Sequence, residues 1–196
     1  FYNDGNGKNV IIETANNRLL ATCKTSQIPN DIKVIGEGSF YGNVSVNNIV
    51  IPDTVKSIED WAFAYCSNLE NITIPDSVKN IGHSAFLYCS KLKNIDIPEG
   101  TEIIGKQMFY GCTSLTSVNI PKSVRSIDKT AFYNCTKLND ITLSDNIESI
   151  GEHAFYGCTS LTKIDLPNKL KSIGERVFYG CTGLKSLDIP NSVETI

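Results

Sequence analysis

The sequence is poor in basic charge and lacks long apolar runs. Lys and Arg number 18 against 21 Asp and Glu, so the 196-residue chain carries a formal net charge of −3. Without a cationic excess there is little to neutralise a phosphate backbone, and nucleic acid is excluded as an expected partner. No apolar run approaches the roughly 20 residues that a membrane-spanning helix needs, so we expect no transmembrane segment.

Methionine is nearly absent, since Met108 is the one Met in the chain. Phe1 is therefore not a translation start. We expect either that a leader was removed or that the chain is a fragment of a longer protein.

Phenylalanine, cysteine and proline are few but regularly spaced. After Phe1, the Phe residues recur every 23 residues, and six Cys follow three residues behind a Phe. Proline keeps the same period, with Ser144 in one of its positions. A period of this length is typical of solenoids, propellers and repeat arrays, in which each unit packs on its neighbours. The Phe positions are Phe40, Phe63, Phe86, Phe109, Phe132, Phe155 and Phe178.

The period divides the chain into two parts. We assign 28–196 to the solenoid, as seven full repeats and a truncated eighth that stops at Ile196. Residues 1–27 are out of register and are expected to form a loop followed by a capping hairpin, with strands at 10–14 and 18–22. The full repeats are 28–50, 51–73, 74–96, 97–119, 120–142, 143–165 and 166–188.

One unit, 74–96, shows the expected course of the chain. The apolar residues Leu92, Ile95 and Ile97, spaced L-x-x-I-x-I, contain a two-residue alternation that predicts a short strand, which Pro98 ends because proline cannot donate to a sheet. Val78 and Ile81 are expected to point inward from a second extended stretch. The inward positions that follow, Phe86 and Cys89 among them, are three and four residues apart and predict one or two helical turns, with glycine before them as the N-cap.

The pattern resembles the BspA-like class of leucine-rich repeats. Its signature I-P-x-x-V-x-x-I-G-x-x-A-F-x-x-C-x-x-L-x-x-I-x is carried most fully by 143–165, and the resemblance covers about four fifths of the chain. It implies a right-handed solenoid with one parallel β-sheet face and short helical turns opposite.

The cysteines are expected to be buried rather than reactive. A parallel column would place neighbouring Cβ atoms about one coil apart, beyond the roughly 3.5–4.5 Å that a disulfide needs. Such a column also does not converge on a metal ion. We therefore favour small buried hydrophobic side chains over disulfides, with Cys23 left over beneath the hairpin and Asn43 in the Cys position of the first repeat.

Motifs that suggest catalysis belong to the repeat itself. Gly36, Gly38 and Gly42 resemble a phosphate loop but match the same segment of later repeats. His83 and His153 are expected on the surface and far apart, out of mutual hydrogen-bond reach. No nucleophile stands beside a base in a recognisable arrangement. We therefore predict that the chain is not an enzyme and holds no cofactor or metal.

The residues that vary between repeats are the candidate binding residues. Alternation along each strand turns two positions outward onto the sheet face, and these differ between repeats while the core positions do not. Asp165 and Asp188 are expected to be adjacent, and we weighed a weak calcium site there. A column of Tyr residues, two of them displaced by one position, is interpreted as packing between turns. The candidate partner-binding residues are Asn71, Asn94, Asp96, Asn119, Asp140, Thr142, Lys163, Asp165, Asp188 and an exposed Trp61.

These observations lead to two functional hypotheses. The first is a secreted or cell-surface module that binds a protein partner. The family resemblance implies adhesion to a host extracellular matrix or plasma protein such as fibronectin or fibrinogen. The second is a structural spacer that holds another domain away from the cell envelope.

Overall fold

A computed structural model describes residues 10–22 and 27–196, so the loop expected over 1–9 and the position of Cys23 lie outside the described residues. Each of the first five repeats contributes two short parallel strands to a β-solenoid, and the repeats 143–165 and 166–188 contribute one each. The three-residue strands form the first sheet, in two hydrogen-bonded groups. They are β4 (Asn48–Val50), β6 (Asn71–Thr73), β8 (Asn94–Asp96), β10 (Ser117–Asn119) and β12 (Asp140–Thr142).

Two-residue strands form a second row that the expectation of a single sheet face left out. The extended stretch around Ile81 pairs with the same stretch of the neighbouring coil, with Ile58 opposite Ile81. We call this row the second sheet. Its strands are β3 (Val34–Ile35), β5 (Ser57–Ile58), β7 (Asn80–Ile81), β9 (Ile103–Ile104), β11 (Ser126–Ile127), β13 (Ser149–Ile150) and β14 (Ser172–Ile173).

An antiparallel hairpin adjoins the first coil. β1 (Val10–Glu13) pairs with β2 (Arg18–Thr22), and β2 pairs in parallel with β3 of the second sheet. The hairpin therefore contributes paired backbone to one edge of that sheet, where an unpaired edge would otherwise face solvent. Val10, Ile12 and Leu19 of this hairpin are buried against the first coil.

The phenylalanines form a continuous stack inside the solenoid. Six rings from Phe40 to Phe155 are fully buried, and Phe178 is partly buried at the last coil. Neighbouring centroids lie between 4.8 Å and 5.7 Å apart. Most pairs are nearly parallel, such as Phe63 and Phe86 at 2°. Each ring therefore packs on the ring of the next coil, a geometry that adds about 0.5–1.5 kcal/mol per pair to the burial of the rings.

The expected helical turns are absent from the described residues, and the prediction was wrong there. Between each second-sheet strand and the next first-sheet strand, the chain forms a run of tight turns that we call the turn wall. In 59–66, Ala64 N donates to Trp61 O at 3.0 Å, three residues back, whereas Phe63 N donates to Ala85 O of the next coil at 2.8 Å. Every second N–H group of this segment therefore pairs within its own coil, and the N–H groups between them pair with the next coil. In an α-helix every N–H group would instead pair with the carbonyl four residues back.

Backbone conformation explains why no helix forms. Two positions in every coil have a positive φ, which no residue of a right-handed helix adopts. The first has φ between 53° and 58° in Gly38, Trp61, Ser84, Gln107, Thr130, His153 and Arg176. The second has φ between 54° and 76° in Gly42, Tyr65, Tyr88, Gly111, Asn134, Gly157 and Gly180.

The glycine that was interpreted as a helix N-cap has a different role. A Cβ on Gly82 would lie 2.5 Å from the backbone N of Asp60 in the preceding coil. The glycine therefore permits close approach of two coils at the start of the turn wall.

The phenylalanine stack gives a direct test of the register. Phe109→Ala should lower the free energy of unfolding by about 3–5 kcal/mol, because it removes a buried ring between two others. Chemical denaturation measures the change. Lys106→Ala, an exposed position in the same turn wall, is the matched control and should change the free energy by less than about 0.5 kcal/mol. A small effect of Phe109→Ala would contradict the stack.

Candidate binding surfaces

The face of the first sheet presents two rows of exposed side chains. In β4, β6 and β8 the central residue is buried and the residues on either side of it point outward. The register is one full repeat, so Asn48 lies beside Asn71, and Asp96 beside Asn119. Asn119 in turn pairs with Thr142. The structure therefore brings together six of the sequence-predicted residues in the strands, namely Asn71, Asn94, Asp96, Asn119, Asp140 and Thr142.

Hydrogen bonds between coils order one of these rows. Asn71 Nδ2 donates to Asn48 Oδ1 at 2.7 Å, and Ser117 Oγ donates to Asn94 Oδ1 at 2.8 Å. These side chains are held by their neighbours before any partner arrives, which reduces the entropy lost on binding.

Asp96 and Asn119 border two depressions. One, of about 200 Å³, lies over the sheet and is lined also by Asn94, Ser117 and Thr142. The other, of about 510 Å³, lies beyond the strand ends, between the Pro98 and Pro121 turns. Both are open and shallow. The sheet face therefore offers an extended contact surface rather than an enclosed pocket for a small molecule.

Lys163 and Asp165 lie one repeat beyond β12, outside any assigned strand. Lys163 Nζ forms an ion pair with Asp165 Oδ2 at 2.7 Å, and both side chains are about four fifths exposed. The weak calcium site that we weighed at Asp165 and Asp188 would have to compete with this lysine. Among the described residues, no group of three or more His, Cys, Asp or Glu side chains has an arrangement that could hold a metal ion.

A lysine and a glutamate border the sheet face. Lys93 Nζ lies 2.8 Å from Glu70 Oε2, one repeat apart. The hydrogen bond from Lys93 lowers the pKa of the Glu70 carboxyl, which stays ionised at neutral pH. The pair is exposed, so it sets local charge rather than contributing much stability.

A larger groove, of about 530 Å³, lies on the second sheet. Its polar groups are used within the fold: Asp60 Oδ1 accepts a hydrogen bond from His83 N at 2.8 Å, and His83 Nδ1 accepts one from Lys106 N at 3.2 Å. His83 and Asp60 therefore position neighbouring coils and leave no catalytic pair.

Trp61 lies apart from the other candidate residues. It occupies the first positive-φ position of the turn wall, and 41% of its surface is exposed. The sequence-predicted set therefore divides between two surfaces, the first sheet and the turn wall.

The seven tyrosines that the sequence assigned to one column stack continuously along the turn wall. Centroids of neighbouring rings lie between 4.6 Å and 5.4 Å apart along the whole column. The two residues displaced by one position stack with the rest. In the sequence, the signal for this column was that the tyrosines recur every 23 residues to within one position. The tyrosine column consists of Tyr41, Tyr65, Tyr88, Tyr110, Tyr133, Tyr156 and Tyr179.

Gly111 lets the column change position between Tyr88 and Tyr110. Tyr88 itself occupies the second positive-φ position, and its ring lies over Gly111 of the next coil. A Cβ on Gly111 would lie 2.5 Å from the Tyr88 ring. The absence of a side chain at Gly111 therefore keeps the stack continuous.

The cysteines form a third column, which faces the interior. The six described thiols are free and buried. Each Sγ donates to the carbonyl oxygen of a core residue one coil earlier, as Cys135 does to Phe109 O at 3.1 Å. Cysteine is therefore a hydrogen-bond donor here as well as the small hydrophobic side chain that we predicted. In the first repeat Asn43 takes this position, and its Nδ2 reaches Thr22 Oγ1 of the hairpin at 3.3 Å.

Burial makes these thiols poor nucleophiles. It raises the pKa of both Cys66 and Cys112 from 9.0 to about 12, and a backbone hydrogen bond offsets only part of the effect. Burial likewise raises the pKa of Cys89 and Cys135 well above the ordinary value. Since the thiolate is the reactive form, this column does not supply a catalytic cysteine.

A known repeat model matches nearly the whole described chain. The BspA type leucine rich repeat region matches residues 14–139 and 102–196, in six copies. The chain belongs to the BspA-type leucine-rich repeat family. No curated protein matches it.

Solved structures agree with this membership. The leucine-rich repeat protein TpLRR of T. pallidum has a TM-score of 0.81 and 30% identity, over 90% of this chain and 87% of its own. A leucine-rich repeat protein from Bacteroides ovatus has a TM-score of 0.67 and 35% identity, over 87% of this chain and 50% of its own. One from Eubacterium ventriosum shares the fold, with a TM-score of 0.82 and 23% identity, over 97% of this chain and 54% of its own.

Leucine-rich repeats of this fold typically serve as protein-interaction modules, which agrees with the exposed face of the first sheet and its shallow depression. In the described part of this BspA-type chain, no helix has the length and apolar character needed to cross a membrane.

The cysteine column generates a first prediction. Cys135→Ala should lower the free energy of unfolding by about 1–2 kcal/mol, because it removes the buried Sγ and leaves the carbonyl of Phe109 with Cys112 N as its remaining donor. Cys135→Ser, which is similar in size to alanine but keeps a donor, should cost less. Urea denaturation compares the two, and equal losses would show that the hydrogen bond contributes nothing.

Alkaline pH gives a second prediction. The pKa of Cys112 is higher in the folded than in the unfolded chain, so ionisation of the unfolded thiol favours unfolding. Stability should be unaffected well below pH 9 and should fall as the pH rises from about 9 toward 12. In Cys112→Ala this slope should be shallower by about 1.4 kcal/mol per pH unit. Denaturation midpoints measured across this window test the claim, and identical slopes would contradict it.

Proposed function

We propose that this chain is a non-catalytic binding module of the cell surface or the secreted fraction, and that the first sheet binds a protein partner. The carrying observation is that the buried position of its strands stays aliphatic, as in Ile72, Ile95 and Val118, while its outward neighbours vary in size and charge along the solenoid. A face free of packing constraints can be shaped for a ligand without loss of the fold.

The partner is proposed to be an extracellular matrix or plasma protein of a host. Support comes from the family resemblance and from the shape of the sheet face, which is broad and has no deep pocket. A leucine rich cell surface protein from Faecalibacterium prausnitzii shares the fold, with 22% identity and a TM-score of 0.52, and its location agrees with the one proposed for this chain.

Charge on the sheet face favours a partner with exposed Lys or Arg. The two outward rows, counted over all full repeats, carry four Asp residues against one Lys, namely Asp96, Asp140, Asp165 and Asp188 against Lys163. Complementary charge mainly raises the association rate and decreases in effect with added salt. Binding through this face should therefore weaken as ionic strength rises.

A set of substitutions on the first sheet tests the proposal. The variant with Asp96→Ala, Asn119→Ala, Thr142→Ala and Asp165→Ala should bind immobilised fibronectin or fibrinogen about tenfold more weakly than the unmodified chain, because all four side chains are exposed and make no core contact. Surface plasmon resonance measures the affinity.

The control carries four polar substitutions on the second sheet, Asn80→Ala, Ser126→Ala, Ser149→Ala and Ser172→Ala. It should bind as the unmodified chain does. An equal loss of affinity in both variants, or no loss in either, would contradict the assignment of the binding face.

The alternative is a spacer that holds another domain away from the cell envelope. The rigid stack of similar coils supports a spacer as well as it supports a binding module. A chain that binds no matrix or plasma protein, within a longer sequence that carries an anchor on one side and a catalytic domain on the other, would support the spacer.

A further inference from the structure

The tyrosine column is a surface feature that the solenoid core does not require. The buried phenylalanine stack already joins the coils. The tyrosines lie outside it, with Tyr41 58% exposed and Tyr179 60% exposed at the two ends. Tyrosine is enriched at protein interfaces because it combines a large apolar area with a polar tip. An unbroken row of seven is therefore a candidate binding surface separate from the first sheet.

The middle of the column offers ring edges and hydroxyls rather than ring faces. Tyr133 stacks on Tyr110 and on Tyr156, each at 4.6 Å and within 5° of parallel. Both faces of its ring are covered by neighbouring tyrosines. A sugar or a nucleic-acid base, which would stack on an open aromatic face, has no place to do so here.

The backbone beneath the column is also occupied. Phe132 N donates to Ala154 O at 2.8 Å, and Asn134 N donates to Tyr156 O at 2.7 Å. Tyr133 N donates within its own coil, to Thr130 O. With these groups paired, a partner cannot add to the turn wall as a β-strand. Recognition must come from the side chains.

Those side chains present an uncharged row of donors. Burial, and after it the neighbouring Tyr88, raises the pKa of Tyr110, so its phenol stays protonated at neutral pH. Gly111, Asn134 and Gly157, which follow three of the tyrosines, are short and uncharged. Tyr110, Tyr133 and Tyr156 are partly exposed, and His153 packs beside the last two, with ring centroids 6.4 Å and 5.5 Å away.

The spacing of the row matches one kind of peptide. In the centre of the column, two successive steps of 4.6 Å separate Tyr110 from Tyr156 by about 9 Å, whereas the remaining steps are 5.0–5.4 Å. A polyproline II helix repeats every three residues, also after about 9 Å, and its carbonyl groups make no internal hydrogen bonds. Proline rings pack well on aromatic surfaces, and hydroxyls can donate to the free carbonyls.

We propose that the tyrosine column binds a proline-rich segment of a partner protein in the polyproline II conformation, running along the solenoid axis. The segment would repeat its contacts on Tyr110 and Tyr156, in the centre of the column. This surface is distinct from the first sheet, so the two can be occupied independently.

An oligoproline peptide of about ten residues, long enough to span the column at about 3.1 Å per residue, is the probe. Fluorescence anisotropy of the labelled peptide measures its affinity for the unmodified chain. A Gly-Ser peptide of equal length is the matched control and should not bind. Absence of oligoproline binding, or equal binding of the Gly-Ser peptide, would overturn the proposal.

A hydroxyl-deletion variant tests the contact. Tyr110→Phe, Tyr133→Phe and Tyr156→Phe together keep the rings and their stacking but remove three donors, and should weaken oligoproline binding by about tenfold or more. The first-sheet variant with four alanines should bind oligoproline normally, which separates this surface from the proposed function. Unchanged affinity in the triple Phe variant would contradict the proposal.

Two further measurements guard the interpretation. The denaturation midpoint of the triple Phe variant should match that of the unmodified chain, since an unfolded variant would lose binding for another reason. A loss of binding that appears only together with a lowered midpoint counts against the proposal. Sedimentation should show a monomer in both. A dimer that the triple substitution dissolves would mean that the column contacts a second copy, and would overturn the assignment to a proline-rich partner.

Discussion

The coil length of 23 residues is the constraint on which the rest of the structure depends. Each coil donates backbone hydrogen bonds to the next at equivalent positions, such as Phe132 N to Ala154 O in the turn wall. Equal length then places Phe on Phe, Cys beside Cys and Ile beside Ile in neighbouring coils. A coil with one residue more or fewer would break these columns together. Stability is therefore shared between nearest neighbours, as in other repeat proteins.

The turn wall shows what this constraint does to local structure. An isolated segment with inward residues three and four apart would be interpreted as a helical turn. In the solenoid, half of its N–H groups pair with the next coil, and two residues per coil adopt a positive φ to aim them there. Bulky residues such as Trp61 and Tyr65 accept this conformation, which costs about 1–2 kcal/mol for a side chain other than glycine. Pairing with the adjacent coil offsets that cost.

Inward-facing and outward-facing columns keep the same 23-residue register, but the outward-facing positions tolerate more sequence variation. The thiol of Cys135 must reach the carbonyl of Phe109, so its position tolerates little change. Asp96 and Asn119, one strand apart on the first sheet, make no core contact and vary between repeats. The residues available for binding are therefore different from the residues that stabilise the fold. The tyrosine column lies between these extremes, since its rings stack in register yet remain exposed at the solenoid surface.

The sequence by itself determined the period, the inward residues and the two outward rows of the first sheet, because a 23-residue spacing and a two-residue alternation depend only on chain order. It also predicted the strands of the hairpin to within one residue. It did not determine that the segment around Phe86 forms turns instead of helix, because spacings of three and four fit both until the neighbouring coil competes for the N–H groups. It did not reveal the thiol hydrogen bonds or the continuity of the tyrosine column. Those arise between residues at least 22 positions apart, where only the stacking of one coil on the next brings Tyr88 over Gly111 and Cys135 to Phe109.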